Sequence, residues 1–405
     1  MTNFVCRCCS STNVKLVLDL GNQPWGNDYI DIERKQKAQR YPLRFCVCKS
    51  CMMAQIDSTI PKEIMFVDHT YVSGTTEALR KHFVKVGQSI LKRKKLNDTD
   101  YILDIGGNDG TFLESFKENG FNVLNIDSGI LQSKISNSKN ITCINKFFNN
   151  KTAEEIVKAK GPAAVIHGSG IFFHLEELHS VFKGVKLLLA SNGILVAEFI
   201  YLPDMLENCS YDQIYHEHLV YYSLSNLQRI LDQFGLEIFD AELKQIHGGS
   251  CVAYIAHKGH NPISDQLKQL KQKELKDGID KIDTYFEFAN KVELNKEKLR
   301  DNIRSIKQKG MSIQALGAPV KGSTIINYCK FTSKDIDCGV EINPHKFNKY
   351  FPGTDIPVYN QDSTSKPDVY LLLAWNFKDE ILSKLVNFRK NGGKVLLPIP
   401  EPEII

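Results

Sequence analysis

At 405 residues the chain is too long for one ordinary hydrophobic core and calls for two or three domains. Its 42% hydrophobic and 24% charged content is that of a globular protein, and no window is apolar for long enough to span a bilayer. A formal net charge of +4 supplies no basic field for nucleic acid, and the start Met1-Thr2-Asn3-Phe4-Val5-Cys6 lacks the basic and apolar regions of a secretory leader. The expectation is a cytoplasmic enzyme with neither membrane nor nucleic-acid partner, whose eleven cysteines are metal ligands or free thiols.

Residues 1–68 carry Cys6-Arg7-Cys8-Cys9 and Cys46-Val47-Cys48-Lys49-Ser50-Cys51. Cys6 with Cys9 and Cys48 with Cys51 are Cys-x-x-Cys pairs, the spacing at which two thiolates of one knuckle reach a single tetrahedral zinc. Cys8 and Cys46 are spare thiols able to replace a neighbour. Four sulfurs leave no open coordination position, so the zinc is expected to be structural, to supply the folding free energy of a small module and to stay remote from chemistry. Between the pairs, Leu16, Leu18, Leu20 and Trp25 sit among scattered charges rather than on a basic face, which argues against RNA binding.

Residues 69–257 read as a doubly wound α/β domain. Tyr101-Ile102-Leu103-Asp104-Ile105-Gly106-Gly107-Asn108-Asp109-Gly110-Thr111 has the pattern strand, glycine turn, helix, with Gly106 and Gly110 permitting positive φ and a close ligand. The spacing is Asp-x-Gly-x-x-x-Gly, not the Gly-x-Gly-x-x-Gly of dinucleotide sites, and an acid, Asp104, precedes the turn. S-adenosylmethionine carries a sulfonium and an ammonium but no pyrophosphate, so a carboxylate suits it; the pattern resembles the first motif of class I methyltransferases. The next strand ends in Asp127, where such folds hydrogen-bond ribose hydroxyls; capping of the following helix is the competing reading.

Buried runs at 163–170 and 192–199 are the fourth and fifth strands. His174 follows the first run and Tyr211-Asp212-Gln213-Ile214-Tyr215-His216-Glu217-His218-Leu219-Val220-Tyr221-Tyr222 follows the second, so both leave the sheet edge where ligands bind. Imidazoles, carboxylate and phenols at this density mark an acid/base site; half of a metal site or a polar turn of packed rings are the alternatives. His247-Gly248-Gly249-Ser250 then introduces another apolar run, its glycines allowing approach to a ligand or to a neighbouring strand.

Residues 258–310 are lysine- and glutamate-rich with Leu267, Leu270, Leu275, Ile279 and Ile282 at helical spacing, the pattern of solvated linker helices. Residues 311–405 repeat the strand, small-residue turn, helix pattern at Ser312 to Thr324, with further strands at 336–340, 369–373 and 394–397. Lys321 at the helix start suits a phosphate, and Glu341 and Lys346 follow the next strand as an acid and a second phosphate lysine. Two nucleoside-type sheets in one chain imply two nucleotide ligands meeting between domains.

Together these features resemble the sugar C-methyltransferase family. The resemblance rests on the cysteine pairs followed by Leu18-Asp19-Leu20-Gly21-Asn22-Gln23-Pro24, then Tyr71-Val72-Ser73-Gly74, the Asp104 to Gly110 turn, Tyr215-His216-Glu217-His218, His247-Gly248-Gly249-Ser250, Gly317-Ala318-Pro319-Val320-Lys321-Gly322, Pro352-Gly353-Thr354 and Ala374-Trp375-Asn376-Phe377. It implies an N-terminal zinc module, a central class I Rossmann-like domain and a C-terminal Rossmann-like domain gripping a nucleotide-linked 4-keto-deoxysugar. It further implies a monomer and a catalytic set of His174, Tyr215, Glu217 and His218. S-adenosylmethionine falls to Tyr71, Ser73, Asp104, Gly106, Asn108, Gly110 and Asp127, and the sugar nucleotide to His247, Lys321, Glu341 and Lys346. The family's asparagine before His174 is replaced by Ser169-Gly170, its usual aspartate by Glu341, and a glycine by Asn348, which tolerates left-handed backbone. The implied reaction is removal of the C-3 proton by His218 and methylation of the resulting enolate; methylation of oxygen or nitrogen, and a zinc-containing RNA-binding protein, are the rival expectations.

Overall fold

The computed structural model describes residues 4–33, 38–69, 71–75, 77–246 and 248–405, which form three sheets. The central one has seven strands in the order Leu236–Lys244, Ser250–His257, Leu189–Ile200, Ala163–Ser169, Tyr101–Ile105, Asn122–Ile126, Cys143–Ile144. From Leu189–Ile200 onward every pairing is parallel, while Ser250–His257 runs antiparallel to both its neighbours and Leu236–Lys244, at the edge, regains the direction of the rest. Helices cover both faces, so the inner strands are buried throughout and read as apolar runs rather than alternating ones. The chain travels outward from Tyr101–Ile105 and then returns to its other side at Ala163–Ser169, leaving a crevice at the carboxyl ends of these two strands.

The C-terminal sheet repeats this logic with a parallel core of Lys394–Leu397, Val369–Leu372, Ile313–Leu316, Cys338–Glu341 and Pro357–Asn360. Asn348, at the position read as left-handed, has φ of 56°. The N-terminal sheet is antiparallel and runs Val14–Pro24, Arg40–Cys48, Ala54–Ile56, Val220–Tyr221.

Two short strands cross between sequence segments. Ile30–Asp31 leaves the cysteine-rich module to pair with Lys349–Tyr350 of the C-terminal sheet, and Val220–Tyr221, the end of the histidine-rich stretch, pairs with Ala54–Ile56. Strands of two residues have no readable period, so sequence patterning cannot announce them. The linker helices Asp265–Lys276 and Ile282–Gln308 each bury one face rather than standing in solvent. Glu274, 1% exposed, accepts from Leu224 N, Ser225 N, Ser225 Oγ and the Tyr201 hydroxyl, which fastens the first of them to the central domain. The long helix places Phe288 against Phe45, which in turn packs edge-on to Tyr221 with ring centroids 6.0 and 5.2 Å apart. One apolar core therefore joins cysteine module, histidine-rich segment and C-terminal sheet. No helix among the described residues is long and apolar enough to cross a membrane.

Candidate active site

Strand Tyr101–Ile105 delivers the chain into a turn where Gly106, Asn108 and Gly110 hold φ of 63°, 51° and 79°. Glycine pays no steric cost there, and asparagine less than other side chains. Gly107 is needed for room: a Cβ would stand 2.3 Å from Asn125 Oδ1 and 2.5 Å from Asp104 Oδ2. Residues 71–75 roof the turn, with Asn108 Oδ1 accepting from Ser73 N at 3.0 Å, and Asn108 Nδ2 and Gln132 Nε2 donating to Tyr71 O at 3.3 and 2.7 Å. Asp127 accepts from Asn108 N at 2.8 Å and Gly129 N at 2.7 Å, and burial pushes its carboxyl up to about 6 despite both bonds. A carboxylate offers about four acceptor positions, so two remain for ligand hydroxyls. Buried Gln132 Oε1 has no partner in the structure. The Cβ-free turn and these spare acceptors fit the ribose and main chain of S-adenosylmethionine. Asp104 lies beneath the turn, where its Oδ1 accepts from His167 Nδ1 at 2.7 Å and the His167 ring stacks 3.5 Å from Phe112.

Ile171 connects this turn to the histidines. A Cβ on Gly106 would meet Ile171 Cδ1 at 3.0 Å, and the 3₁₀ turn Phe172–His174 follows at once. Phe173 O accepts from Leu219 N at 2.7 Å and Phe172 O from the Tyr222 hydroxyl at 2.9 Å, which lays residues 211–222 along this loop. The His218 ring then stands 3.8 Å from Tyr215, 4.5 Å from Phe173 and 5.2 Å from His174. His218 Nδ1 lies 2.7 Å from Gln213 O. A carbonyl only accepts, so Nδ1 carries a proton, and whenever the ring is neutral its basic lone pair is on Nε2. Burial, helped by nearby His69, lowers His174 to about 3, so it is neutral at physiological pH. The Tyr215 phenol is driven well above its ordinary value, first by burial and then by Glu217, and remains a donor.

Only one of the two imidazoles in the segment joins this group. His216 turns the other way, with Nε2 3.3 Å from Pro42 O and its ring 5.8 Å from Tyr41. Glu217 also meets the cysteine module: its Oε1 accepts from Trp25 Nε1 at 2.7 Å and Asn27 Nδ2 at 2.9 Å. Burial raises this carboxyl and the two bonds oppose it. Hydrogen bonds to a charged group contribute about 1.5–3 kcal/mol each, comparable together with the several kcal/mol of removing one carboxylate from water. Trp25 had read as an apolar loop residue; the available signal was that a half-buried indole N–H needs an acceptor.

In the module itself the Sγ atoms of Cys6, Cys9, Cys48 and Cys51 lie within 4.8 Å of one another, with Cys6 to Cys51 at 3.5 Å and Cys9 to Cys48 at 3.6 Å. Tetrahedral zinc at 2.3 Å from sulfur sets such edges at about 3.8 Å, so the four fit it. Gln55 Nε2 and Cys8 N approach Cys6 Sγ at 3.3 and 3.4 Å, the outer contacts that orient a thiolate. The spare Cys46 faces Arg44 O instead.

On the C-terminal side, Gly317, at φ of 81°, opens the turn before helix Val320–Tyr328. Glu341 Oε2 accepts from Ala318 N at 2.9 Å, and Lys346 Nζ and the Tyr29 hydroxyl both donate to Ala318 O at 2.7 Å. Lys321 lies over the Trp375 ring, whose Nε1 donates to buried Asp212 Oδ2 at 2.6 Å. Burial lowers both lysines, with Asp212 opposing at Lys321 and Glu341 at Lys346. Thr324 Oγ1 donates to Ile214 O at 3.1 Å, so this turn abuts the catalytic candidates directly. Asp212 and Trp375, which lie in motif segments of the sequence that assign them no role, are further residues of the junction. His247 lies outside the described residues; Gly248 and Gly249 beside it hold φ of 91° and 115°.

A parallel sheet with one reversed strand, second from its edge, and a glycine turn at its switch point defines a class I S-adenosylmethionine-dependent methyltransferase. Family models match in three blocks: "Putative zinc binding domain" over residues 6–66, "Methyltransferase domain" over 78–241 and "C-methyltransferase C-terminal domain" over 245–400. The C-methyltransferase NovU of Streptomyces niveus is 30% identical over 404 residues, covering 99% of this chain and 96% of that protein. The chain belongs to this C-methyltransferase family, and its cofactors are S-adenosylmethionine and zinc. Among solved structures, a SAM-dependent methyltransferase from Anabaena variabilis is similar at 18% identity and TM-score 0.36, covering 47% of this chain and 88% of that one. The PH0226 protein of Pyrococcus horikoshii is similar at 17% identity and TM-score 0.37, covering 47% and 95%.

Proposed function

We propose that this C-methyltransferase acts at C-3 of a nucleotide-linked 4-keto-6-deoxysugar, with His218 as the base. The observation that supports it most is the 2.7 Å contact between His218 Nδ1 and Gln213 O, which puts a proton on Nδ1 and, in the neutral ring, the basic lone pair on Nε2. A hydrogen on carbon next to a ketone is acidic because the anion spreads onto oxygen. His218 Nε2 takes that proton, and the neutral donors Tyr215 and His174 face the developing enolate oxygen or the sugar hydroxyls. Glu217 orients base or substrate. Bound S-adenosylmethionine supplies an electrophilic methyl group; Tyr71, Ser73, Gly106, Asn108, Gly110 and Asp127 hold it, and Asp104 braces the turn. Lys321, Lys346, Glu341 and His247 serve the nucleotide. The test is mass spectrometry of products from thymidine-, uridine-, cytidine- and guanosine-diphosphate-linked 4-keto-6-deoxyhexoses: the reading predicts a methyl group on ring carbon 3, and methylation on oxygen or nitrogen contradicts it.

Asp127 gives this reading a pH signature. Its raised carboxyl is ionised above about 6 and protonated below. The ionised form is the better acceptor for ribose hydroxyls, so affinity for S-adenosylmethionine falls as pH drops through that value. At pH 5 about one molecule in ten retains the charge, and calorimetry should find binding about tenfold weaker than at pH 8. Asp127→Asn should bind weakly at both pH values.

A further inference from the structure

We propose that Trp25 and Asn27 of the zinc-held module are positioning residues for Glu217, so that this module completes the active site instead of standing beside it. The inference rests on the reading of Glu217 as part of the catalytic set. Both side chains donate to the same oxygen, Oε1, from 2.7 and 2.9 Å. Two donors on one oxygen fix the rotamer and leave Oε2 as the acceptor that substrate meets. An indole N–H and an amide N–H stay donors at every physiological pH, so the arrangement favours the carboxylate over the acid.

The donors are themselves held. Gly26, between them, has no space beyond its own hydrogen: a Cβ would stand 2.6 Å from Val320 Cγ1 and 3.2 Å from Val320 O, at the start of the C-terminal helix. Upstream, strand Val14–Pro24 is anchored in the zinc module's sheet. Downstream, the Tyr29 hydroxyl is bound to Ala318 O and Ile30–Asp31 is paired with Lys349–Tyr350. The Trp25-Gly26-Asn27 turn is thus a wedge between two domains, and the residue it grips belongs to the third. Packing alone needs neither N–H; a phenylalanine and a leucine would fill the same space.

The test uses Trp25→Phe and Asn27→Leu in the full-length zinc-loaded protein. Carbon-13 NMR titration of labelled glutamate, with Glu217→Gln identifying the resonance, reads the carboxyl directly and needs no substrate. Each variant should raise the Glu217 titration by about one pH unit and lower kcat about 10- to 100-fold, with zinc content and S-adenosylmethionine affinity unchanged. Unmoved titration in both variants overturns the inference, as does loss of zinc or cofactor binding in both, which would mark a structural role. The two readings fail separately: wild-type kcat in Glu217→Gln removes Glu217 from the catalytic set, whereas a crippled Glu217→Gln beside fully active Trp25→Phe and Asn27→Leu removes only the positioning role.

Discussion

His218→Asn is expected to lose about 10²- to 10⁴-fold in kcat, the range a positioned general base contributes, while binding S-adenosylmethionine as the wild type does. Asparagine keeps a polar side chain of similar reach and can preserve the contact to Gln213 O, which isolates the loss of the basic nitrogen. His218 packs against Phe173, and Ile171 of the same loop borders Gly106, so the replacement is expected to leave the fold around Gly106 intact. Calorimetry with S-adenosylhomocysteine and steady-state kinetics on the accepted sugar nucleotide separate these two quantities. Undiminished turnover in this variant rules out His218 as the base.

Removing zinc is the second large effect. Structural zinc contributes about 10–16 kcal/mol of apparent binding free energy in small modules, more than such a core supplies alone. Without it the sheet carrying Ala54–Ile56 loses its clamp, and that strand is the partner of Val220–Tyr221 at the end of the histidine-rich segment. Phe45 leaves Tyr221, and Trp25 and Asn27 leave Glu217. Chelation is therefore expected to abolish methyl transfer, with circular dichroism showing partial rather than global unfolding. A closed sulfur shell leaves the metal no coordination position for substrate, yet the module that holds it reaches the candidate site through Trp25 and Asn27. A metal-free protein with full activity would show that these contacts are dispensable.

How much of this the sequence disclosed follows from the range of each signal. Tyr101 to Thr111 was readable because period, glycine spacing and helix onset lie within one short stretch, and the structure has strand Tyr101–Ile105 and helix Thr111–Glu118 there. Residues 369–373 and 394–397 were readable as buried strands for the same reason, and appear as Val369–Leu372 and Lys394–Leu397. The side of the chain that a residue faces in an irregular segment has no period, so pattern alone does not separate His216 from His218 and only the family resemblance picks His218, the one that joins Tyr215 and His174. The grip on Glu217 spans 192 positions to Trp25 and 190 to Asn27, a contact fixed by how modules meet and not by local pattern. Lys321 and Lys346 were legible as cations at a turn, but their burial beside Asp212 and Glu341 was not.

A carbanion formed at sugar C-3 by His218 would exchange its hydrogen with solvent. The accepted nucleotide-linked 4-keto sugar is incubated with enzyme and S-adenosylhomocysteine in deuterium oxide, and C-3 is followed by proton NMR. Wild-type protein is expected to erase the C-3 proton signal and His218→Asn to retain it. A methylated product that keeps its C-3 hydrogen, or exchange at the wild-type rate in the variant, contradicts carbanion formation by His218.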